Sequence, residues 1–249
     1  MKTVTCQTEV CIGSVASAIE AARGGAQRVE LCDNLLEGGT TPSAGSIQAC
    51  LNIPHLKTMV MIRPRGGDFL YNETEFDIMK RDVIVARELG AHGVVFGILL
   101  ADGTIDRVRM MQLVELSGSM DITCHRAFDM TRDPFEAMEC LIGMGIKRIL
   151  TSGQQPKAPL GAALITKLIE KAGDRIIIMP GAGVNETTIE KMAATGAREF
   201  HIAPTRSIDS EMVFRNSSIS MGTPEQPEYK TIIVDLERIK KVTDYLNQL

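Results

Sequence analysis

Eight short stretches of the 249-residue chain alternate apolar and polar side chains, and a helical spacing of apolar residues follows each of them. A period of two predicts a half-buried β-strand, whereas repeats at three and four residues predict an amphipathic helix. The predicted strands cover about residues 4–12, 28–33, 58–63, 93–99, 120–125, 148–152, 175–179 and 199–202. They recur roughly every 25–30 residues with a helix between them, which predicts a parallel sheet.

Eight strand–helix units in one chain of this length predict a single-domain α/β protein, a (β/α)8 TIM-type barrel over residues 1–249. A doubly wound open sheet is the alternative, but no G-x-G-x-x-G follows the first strand. One segment departs from the repeat. Residues at about 204–230, after the eighth strand, show little periodicity and are predicted to form a long loop.

Composition narrows the functional class. A formal net charge of −4 argues against binding to nucleic acid or to a membrane surface, because both require a concentrated positive field. Six cysteines are widely spaced and form no C-x-x-C pair, which favours free thiols in a reducing, cytoplasmic environment. The sequence leaves open whether the chain forms a homo-oligomer.

Polar side chains collect where the predicted strands end. In a barrel these carboxyl ends form one rim, which is where catalytic and binding residues lie. The residues concerned are Glu9, Cys11, Glu30, Cys32, Arg63, Arg65, His125, Arg126, Gly181, Gly183 and His201. Packing does not readily explain two glutamates, two histidines and several arginines at one rim, so we predict a functional pocket there.

Three of these residues are candidates for acid–base chemistry: Glu9, Glu30 and His125. A glutamate on the inward face of a strand is costly unless something pairs with it. The structural alternative is a barrel-core Glu30 held by an arginine of a neighbouring strand. For His125, the alternative is a hydrogen-bonded residue at the end of its strand.

A second set is predicted to bind an anion. Gly181-Ala-Gly183 precedes a predicted helix that begins near Asn185, and free N–H groups at a helix start favour negative charge. Arginine binds carboxylate or phosphate with two parallel hydrogen bonds. The full set is Arg63, Arg65, Arg126, Gly181, Gly183 and His201. The alternatives are a tight turn for the glycines and internal ion pairs with Glu9, Glu30 and Asp129 for the arginines.

Two thiols are candidates for a metal site. Cys11 and Cys32 are predicted near the ends of adjacent parallel strands, on the inward face and at similar heights. Soft thiolates select Cu(I), for which two ligands can suffice. The alternative is that both cysteines pack as small apolar side chains.

Several segments together resemble the copper homeostasis protein CutC family. They are Arg28-Val-Glu-Leu-Cys-Asp33 with Glu37-Gly-Gly-Thr-Thr-Pro-Ser43, Ile62-Arg-Pro-Arg-Gly-Gly-Asp-Phe69, His125-Arg-Ala-Phe-Asp129, Ile149-Leu-Thr-Ser-Gly-Gln154, Gly181-Ala-Gly-Val184, Arg215-Asn216, Ser220-Met221 and Ile233-Val-Asp235. The resemblance implies a TIM-type barrel, a cytoplasmic location and a role in copper handling. It also implies Cu(I) binding through cysteines, which map onto Cys11 and Cys32.

Two hypotheses from different classes therefore stand. The first is a cytoplasmic copper-homeostasis protein that binds Cu(I) through Cys11 and Cys32. The second is a barrel enzyme that acts on a small anionic metabolite, bearing a phosphate or a carboxylate, at the C-terminal mouth of the barrel. The sequence does not decide whether the chain is an enzyme.

Overall fold

The computed structural model describes residues 6–216, 218–219, 221–222 and 227–249. The predicted strand residues 4–5 and Ser220 therefore lie outside the described residues. The elements in chain order are β1 Gln7–Ile12, α1 Val15–Arg23, β2 Arg28–Leu31, α2 Ala44–Leu51, β3 Lys57–Met61, α3 Glu73–Glu88, β4 Gly93–Phe96, α4 Arg107–Ser117, β5 Asp121–Cys124, α5 Pro134–Gly143, β6 Arg148–Thr151, α6 Ala162–Ala172, β7 Ile177–Pro180, α7 Ile189–Ala193, β8 Glu199–Ile202, β9 Thr205–Asp209, β10 Lys230–Val234 and α8 Leu236–Leu246.

The first eight strands form one parallel sheet in the order β7-β6-β5-β4-β3-β2-β1-β8. β1 pairs with both β2 and β8, and β7 lies beside β8, so the sheet curves into a nearly closed barrel. This confirms the predicted (β/α)8 architecture. The arrangement follows from the alternation of short buried strands with helices that carry one apolar face.

The apolar core has two parts. The larger part lies between the outer face of the barrel and the helices, where Val10, Val29 and Val60 are fully buried. The smaller part lies inside the barrel and consists of Cys32, Met59, Met61 and Val95, with Cys11 packed against them. Strand alternation separates the two parts, because residues two apart point to the same side of the sheet. The barrel interior is thus left to sulfur-bearing and charged side chains.

The segment after β8 is not an unstructured loop throughout, which corrects the prediction for residues 204–230. β9 and β10 form a two-stranded antiparallel ribbon that pairs Thr205 with Val234 and Asp209 with Lys230. Most of β9 is exposed, so its residues carry no apolar alternation that would mark a strand. The pairing also joins residues 21 to 29 positions apart, which a local pattern does not reveal.

A second correction concerns the segment behind β7. The predicted helix start near Asn185 is a turn, in which the Asn185 side chain accepts hydrogen bonds from Thr187. The helix itself is the five-residue α7, and it begins only at Ile189. Asn185 caps a turn rather than a helix, because its side-chain oxygen accepts hydrogen bonds from the Thr187 N–H and hydroxyl before the backbone hydrogen bonds of α7 begin. Across the described residues, no helix combines the length and apolar character needed to cross a membrane.

Candidate functional site

Strand register brings four side chains together at the carboxyl end of the barrel. Cys11 is level with Glu30 on the neighbouring strand β2, and Glu9 is level with His201 on β8. Cys32 is the first residue after β2, and its backbone N–H donates a hydrogen bond to the carbonyl of Ile12. We refer to Cys11, Glu30, Cys32 and His201 as the thiol–carboxylate cluster.

Three of these residues place ligand atoms close enough to share one ion, and His201 adjoins them through Glu30. Sγ of Cys11, Sγ of Cys32 and a carboxylate oxygen of Glu30 all lie within 4.8 Å of one another. The Cys32 thiol lies 3.6 Å from Oε2 of Glu30, and Nε2 of His201 lies 3.8 Å from the same oxygen. Oε1 of Glu30 has no hydrogen-bond partner among the described residues, although the side chain is buried.

A layer of buried charges supports the cluster from below. Glu9 accepts a hydrogen bond from Nε of Arg28, and Arg28 also donates to Glu199. Arg148 donates to the same Glu199 carboxylate from the other side, at 2.9 Å. Two acids and two bases make this layer neutral. We refer to Glu9, Arg28, Arg148 and Glu199 as the inner charge layer.

Glu9 joins the inner charge layer to the thiol–carboxylate cluster. Its Oε1 lies 2.9 Å from Nδ1 of His201, while its other oxygen is held by Arg28. Arg28 lies on the same strand as Glu30 and pairs with Glu9 of the neighbouring strand β1. Within the described part of the chain, Glu30 forms no ion pair with an arginine. Glu30 is thus a buried acid whose neighbours are thiols and an imidazole.

The two thiols differ in their proton affinity. A hydrogen bond from the Cys32 thiol, supported by one from His201, lowers the pKa of Cys11 to about 5 despite its burial. The same hydrogen bond, together with burial, raises the pKa of Cys32 well above its usual range. At neutral pH the pair therefore consists of a thiolate at Cys11 and a thiol at Cys32.

The pKa values of Glu30, His201 and Glu9 are shifted by burial and by the charges around them. Burial raises the pKa of Glu30 to about 8, and the Cys11 thiolate adds to the effect. Burial alone would lower the pKa of His201, but the facing Glu30 and hydrogen bonds with Cys11 and Glu9 raise it well above its usual range. Burial would raise the pKa of Glu9, yet Arg28 and His201 lower it to about 2. The cluster is therefore close to neutral overall, with the His201 cation beside the Cys11 thiolate.

A pocket of about 560 Å³ opens onto Cys11. Its walls come from the β1–α1 turn, the turn at residues 33–36 and the ribbon strand β10. Cys11 is half-buried, whereas Cys32 is only 2% exposed and lies behind it. An incoming ion or small molecule thus meets the thiolate of Cys11 first.

Comparison with known proteins identifies the family. The model of the CutC family matches residues 6–205. The chain belongs to the CutC family. A CutC family protein of Parabacteroides distasonis is 48% identical over 235 residues, which cover 93% of this chain and 97% of that protein. The human protein named copper homeostasis protein cutC homolog is 45% identical over 234 residues, which cover 93% of this chain and 86% of that protein.

Solved structures agree with the barrel. The structure described as a putative copper homeostasis protein CutC from Streptococcus agalactiae superposes with a TM-score of 0.76 at 34% identity. The matched region covers 79% of this chain and 98% of the Streptococcus agalactiae chain. A thiamine phosphate pyrophosphorylase from Pyrococcus furiosus has a TM-score of 0.59 at 14% identity, covering 98% of this chain and 96% of that one. The second likeness shows the fold alone.

The arginines of this CutC-family chain are engaged by the protein itself, which corrects the predicted anion-binding set. Arg63 is buried and donates to the backbone carbonyls of Glu37, Gly39 and Gly67. It thereby holds the loop between β2 and α2, in which a Cβ at Gly39 would lie 3.0 Å from the Cys32 sulfur. Arg63 supports the cluster through this loop rather than by binding an anion.

The other two arginines pair with nearby acids. Arg65 forms ion pairs with Glu75 and Asp68. Arg126 pairs with Asp129, one of the three acids named as internal partners for the arginines. The enzyme hypothesis thus lacks the free guanidinium groups it required, and no relative named above supports it.

His125 and Gly181 also differ from their predicted roles. Nδ1 of His125 accepts the Ala127 N–H at 3.2 Å, and burial followed by the charge of Arg63 lowers its pKa to about 3. An imidazole with so low a pKa is a weak proton acceptor at neutral pH, which argues against a general base. The Gly181 N–H donates to the carbonyl of Thr151, and the short helix α7 starts well beyond Gly183. The Gly181 N–H is therefore already engaged, and anion binding at Gly183 stays a prediction.

His201 is the clearest change of role, from the predicted anion-binding set to a position between two carboxylates. Gly181 permits this position, because a Cβ there would lie 3.3 Å from the His201 Cβ and 2.4 Å from Leu150. The inner charge layer was missed altogether. Its signal was nevertheless present, since Arg28 lies two residues before Glu30 and therefore shares its face.

Proposed function

We propose that this CutC-family protein is a cytoplasmic copper-homeostasis protein that binds Cu(I) through the thiolates of Cys11 and Cys32. Thiolates are the protein ligands that select Cu(I). With metal–sulfur bonds of about 2.3 Å, the length known for zinc thiolates, two sulfurs on opposite sides of a metal lie about 4.6 Å apart. The two sulfurs lie within 4.8 Å of each other, so they are close enough to reach a common metal ion. The names of the mammalian relatives point in the same direction.

The observation that carries the proposal is a thiolate paired with a second thiol at the floor of an accessible pocket. The pocket gives an ion a route to Cys11, and the Cys32 sulfur lies within 4.8 Å of the Cys11 sulfur. Binding of Cu(I) by both sulfurs displaces the proton of Cys32. The Cu(I) ion then replaces one proton of equal charge, so the overall charge of the buried site does not change. This exchange avoids the large penalty of an uncompensated buried ion.

Strand register also favours metal binding over a disulfide. Cys11 is level with Glu30, so Cys32 lies two residues further along the adjacent strand. Strands about 4.8 Å apart with about 3.3 Å per residue place the two Cα atoms about 8 Å apart. A disulfide requires less than about 7 Å. The thiols can therefore share an ion without the backbone movement that a disulfide would need, and all six cysteines are free thiols.

The test is an anaerobic Cu(I) titration of the purified protein against a chromophoric Cu(I) chelator. We expect one tightly bound Cu(I) per chain in the wild type and none in the double variant Cys11→Ser, Cys32→Ser. The matched control is Cys6→Ser, Cys140→Ser, which removes two half-buried thiols outside the cluster and should bind as the wild type does. Retention of wild-type affinity by the first double variant would overturn the proposal.

A further inference from the structure

A two-coordinate Cu(I) site does not use two donors of the thiol–carboxylate cluster as metal ligands. Glu30 is only 2% exposed, and its Oε1 has no hydrogen-bond partner among the described residues. His201 is buried as well, and its Nε2 faces Glu30 rather than solvent. Burial of such groups without full satisfaction is costly, so it calls for an explanation beyond packing.

We propose that the same cluster also binds a borderline divalent cation of the zinc class, with Cys11, Cys32, Glu30 and His201 as four ligands. The inference deepens the proposed function, since it uses the same thiol pair. Two thiolates, one imidazole nitrogen and one carboxylate oxygen are ligands that zinc accepts in tetrahedral sites. Cu(I), in contrast, takes the sulfurs and leaves the harder oxygen ligand free.

Glu30 is the donor that links the two thiols to His201, and its contacts have the spacing of a tetrahedral site. Ligand atoms at about 2.0–2.3 Å from a tetrahedral metal lie about 3.3–3.8 Å from each other. The Cys32 sulfur lies 3.6 Å from Oε2 of Glu30, and Nε2 of His201 lies 3.8 Å from that oxygen. Two edges of the tetrahedron are thus already at the required length. The Cys11 sulfur completes the group within 4.8 Å of the other sulfur and the carboxylate.

The orientation of His201 supports the same conclusion. A histidine that binds a metal usually donates its other ring N–H to a carboxylate, which fixes the ring and its tautomer. Here Glu9 lies 2.9 Å from Nδ1, and this leaves Nε2 directed at the cluster. Arg28 holds Glu9 in turn. The chain therefore contains both the donors and the support that a histidine ligand needs.

Four protein ligands fill a tetrahedral sphere and leave no open position for water. The cation would thus be held rather than used to activate a nucleophile. Zn²⁺ and Cu(I) would also compete, because each requires the sulfurs of Cys11 and Cys32. We therefore expect bound Zn²⁺ to slow or prevent Cu(I) uptake.

The test uses the full-length, metal-free protein with CoCl2 as a spectroscopic probe for the zinc class, followed by ZnCl2. We expect the intense d–d bands of tetrahedral Co²⁺ together with thiolate-to-cobalt charge transfer, both lost when Zn²⁺ displaces Co²⁺. His201→Gln and Glu30→Gln should each weaken Zn²⁺ binding by about 100-fold or more. Glu9→Gln should weaken it by about 10–100-fold, the range for partners that orient a ligand. His92→Gln changes an exposed histidine outside the cluster and serves as the control.

Cu(I) titrations of the same variants separate this inference from the proposed function. His201→Gln and Glu30→Gln should still bind one Cu(I) per chain, because both thiols remain, although the loss of the hydrogen bond to Cys11 lowers the affinity at neutral pH. If Cu(I) binds but Co²⁺ gives no tetrahedral spectrum, or Zn²⁺ affinity is unchanged in both variants, the four-ligand site is wrong and the copper proposal stands. If Zn²⁺ binds as described but Cu(I) does not bind, the copper proposal is wrong and the four-ligand site stands. Failure of both metals to bind overturns both.

Discussion

Removal of Arg28 tests whether the inner charge layer supports the barrel mouth. In Arg28→Met, Glu199 keeps its hydrogen bond from Arg148, whereas Glu9 keeps only His201. Arg28 is 2% exposed and Glu9 is fully buried, so water does not replace the lost partner. Truncation of one member of a buried ion pair costs about 3–5 kcal/mol, mostly because it leaves the other charge unpaired. We expect the free energy of unfolding to fall by that amount.

The matched control is Arg175→Met. Arg175 forms two hydrogen bonds with Glu139, at 2.7 and 2.9 Å, but both side chains are nearly half exposed. Such surface pairs contribute about 0–1 kcal/mol. Urea unfolding followed by circular dichroism at pH 7 compares the two variants. The double variant Arg28→Met, Glu9→Gln should regain part of the loss, because it no longer buries an unpaired carboxylate. Equal losses in Arg28→Met and Arg175→Met would refute the reasoning.

Three further predictions concern the site directly. Because the pKa of Cys11 is lowered to about 5 and that of Cys32 is raised, Cu(I) displaces one proton, and its affinity should rise about tenfold per pH unit between about pH 6 and 8. Competition titrations across that range check this, and a flat profile would contradict it. Burial raises the pKa of Glu30 from about 4.3 in the unfolded chain to about 8, so the folded state retains the proton longer and loses stability as pH rises through that window. Glu30→Gln has no carboxyl to titrate, so its free energy of unfolding should rise by a few kcal/mol relative to the wild type between pH 5 and 8, as measured by urea unfolding. Parallel pH profiles of the two free energies would speak against a protonated Glu30. Gly39→Ala should unfold at lower urea than Gly90→Ala and should bind Cu(I) more weakly. Both glycines have φ near +90°, but only at Gly39 would a Cβ meet the Cys32 sulfur, at 3.0 Å, so equal effects would argue against that contact.

The barrel was predictable because its signal is local. Each strand and the helix behind it lie within one repeat, and the alternation of Glu30 with Leu31 already separates the two faces of β2. The same alternation places Glu9 beside Cys11 and Glu30 beside Cys32 on the inward faces of neighbouring strands. Parallel strands then bring these pairs to one rim.

The parts that sequence reasoning missed depend on contacts between distant residues. The partner of Glu9 is Arg28 and the partner of Arg148 is Glu199, and only the strand order shows which charges meet. The two carboxylate neighbours of His201 were missed because they come from β1 and β2, 192 and 171 residues earlier in the chain. The β9–β10 ribbon was missed for the related reason that its exposed strand carries no apolar pattern.

The central claim is that Cys11 and Cys32 hold copper together. X-ray absorption at the copper edge of the Cu(I)-loaded protein tests it most directly, because the method identifies the atoms bonded to the metal. We predict two sulfur atoms bonded to copper in the wild type, and loss of this sulfur signal in Cys11→Ser, Cys32→Ser. A copper ion bonded only to nitrogen and oxygen, or a sulfur signal that survives in the double variant, would contradict the account.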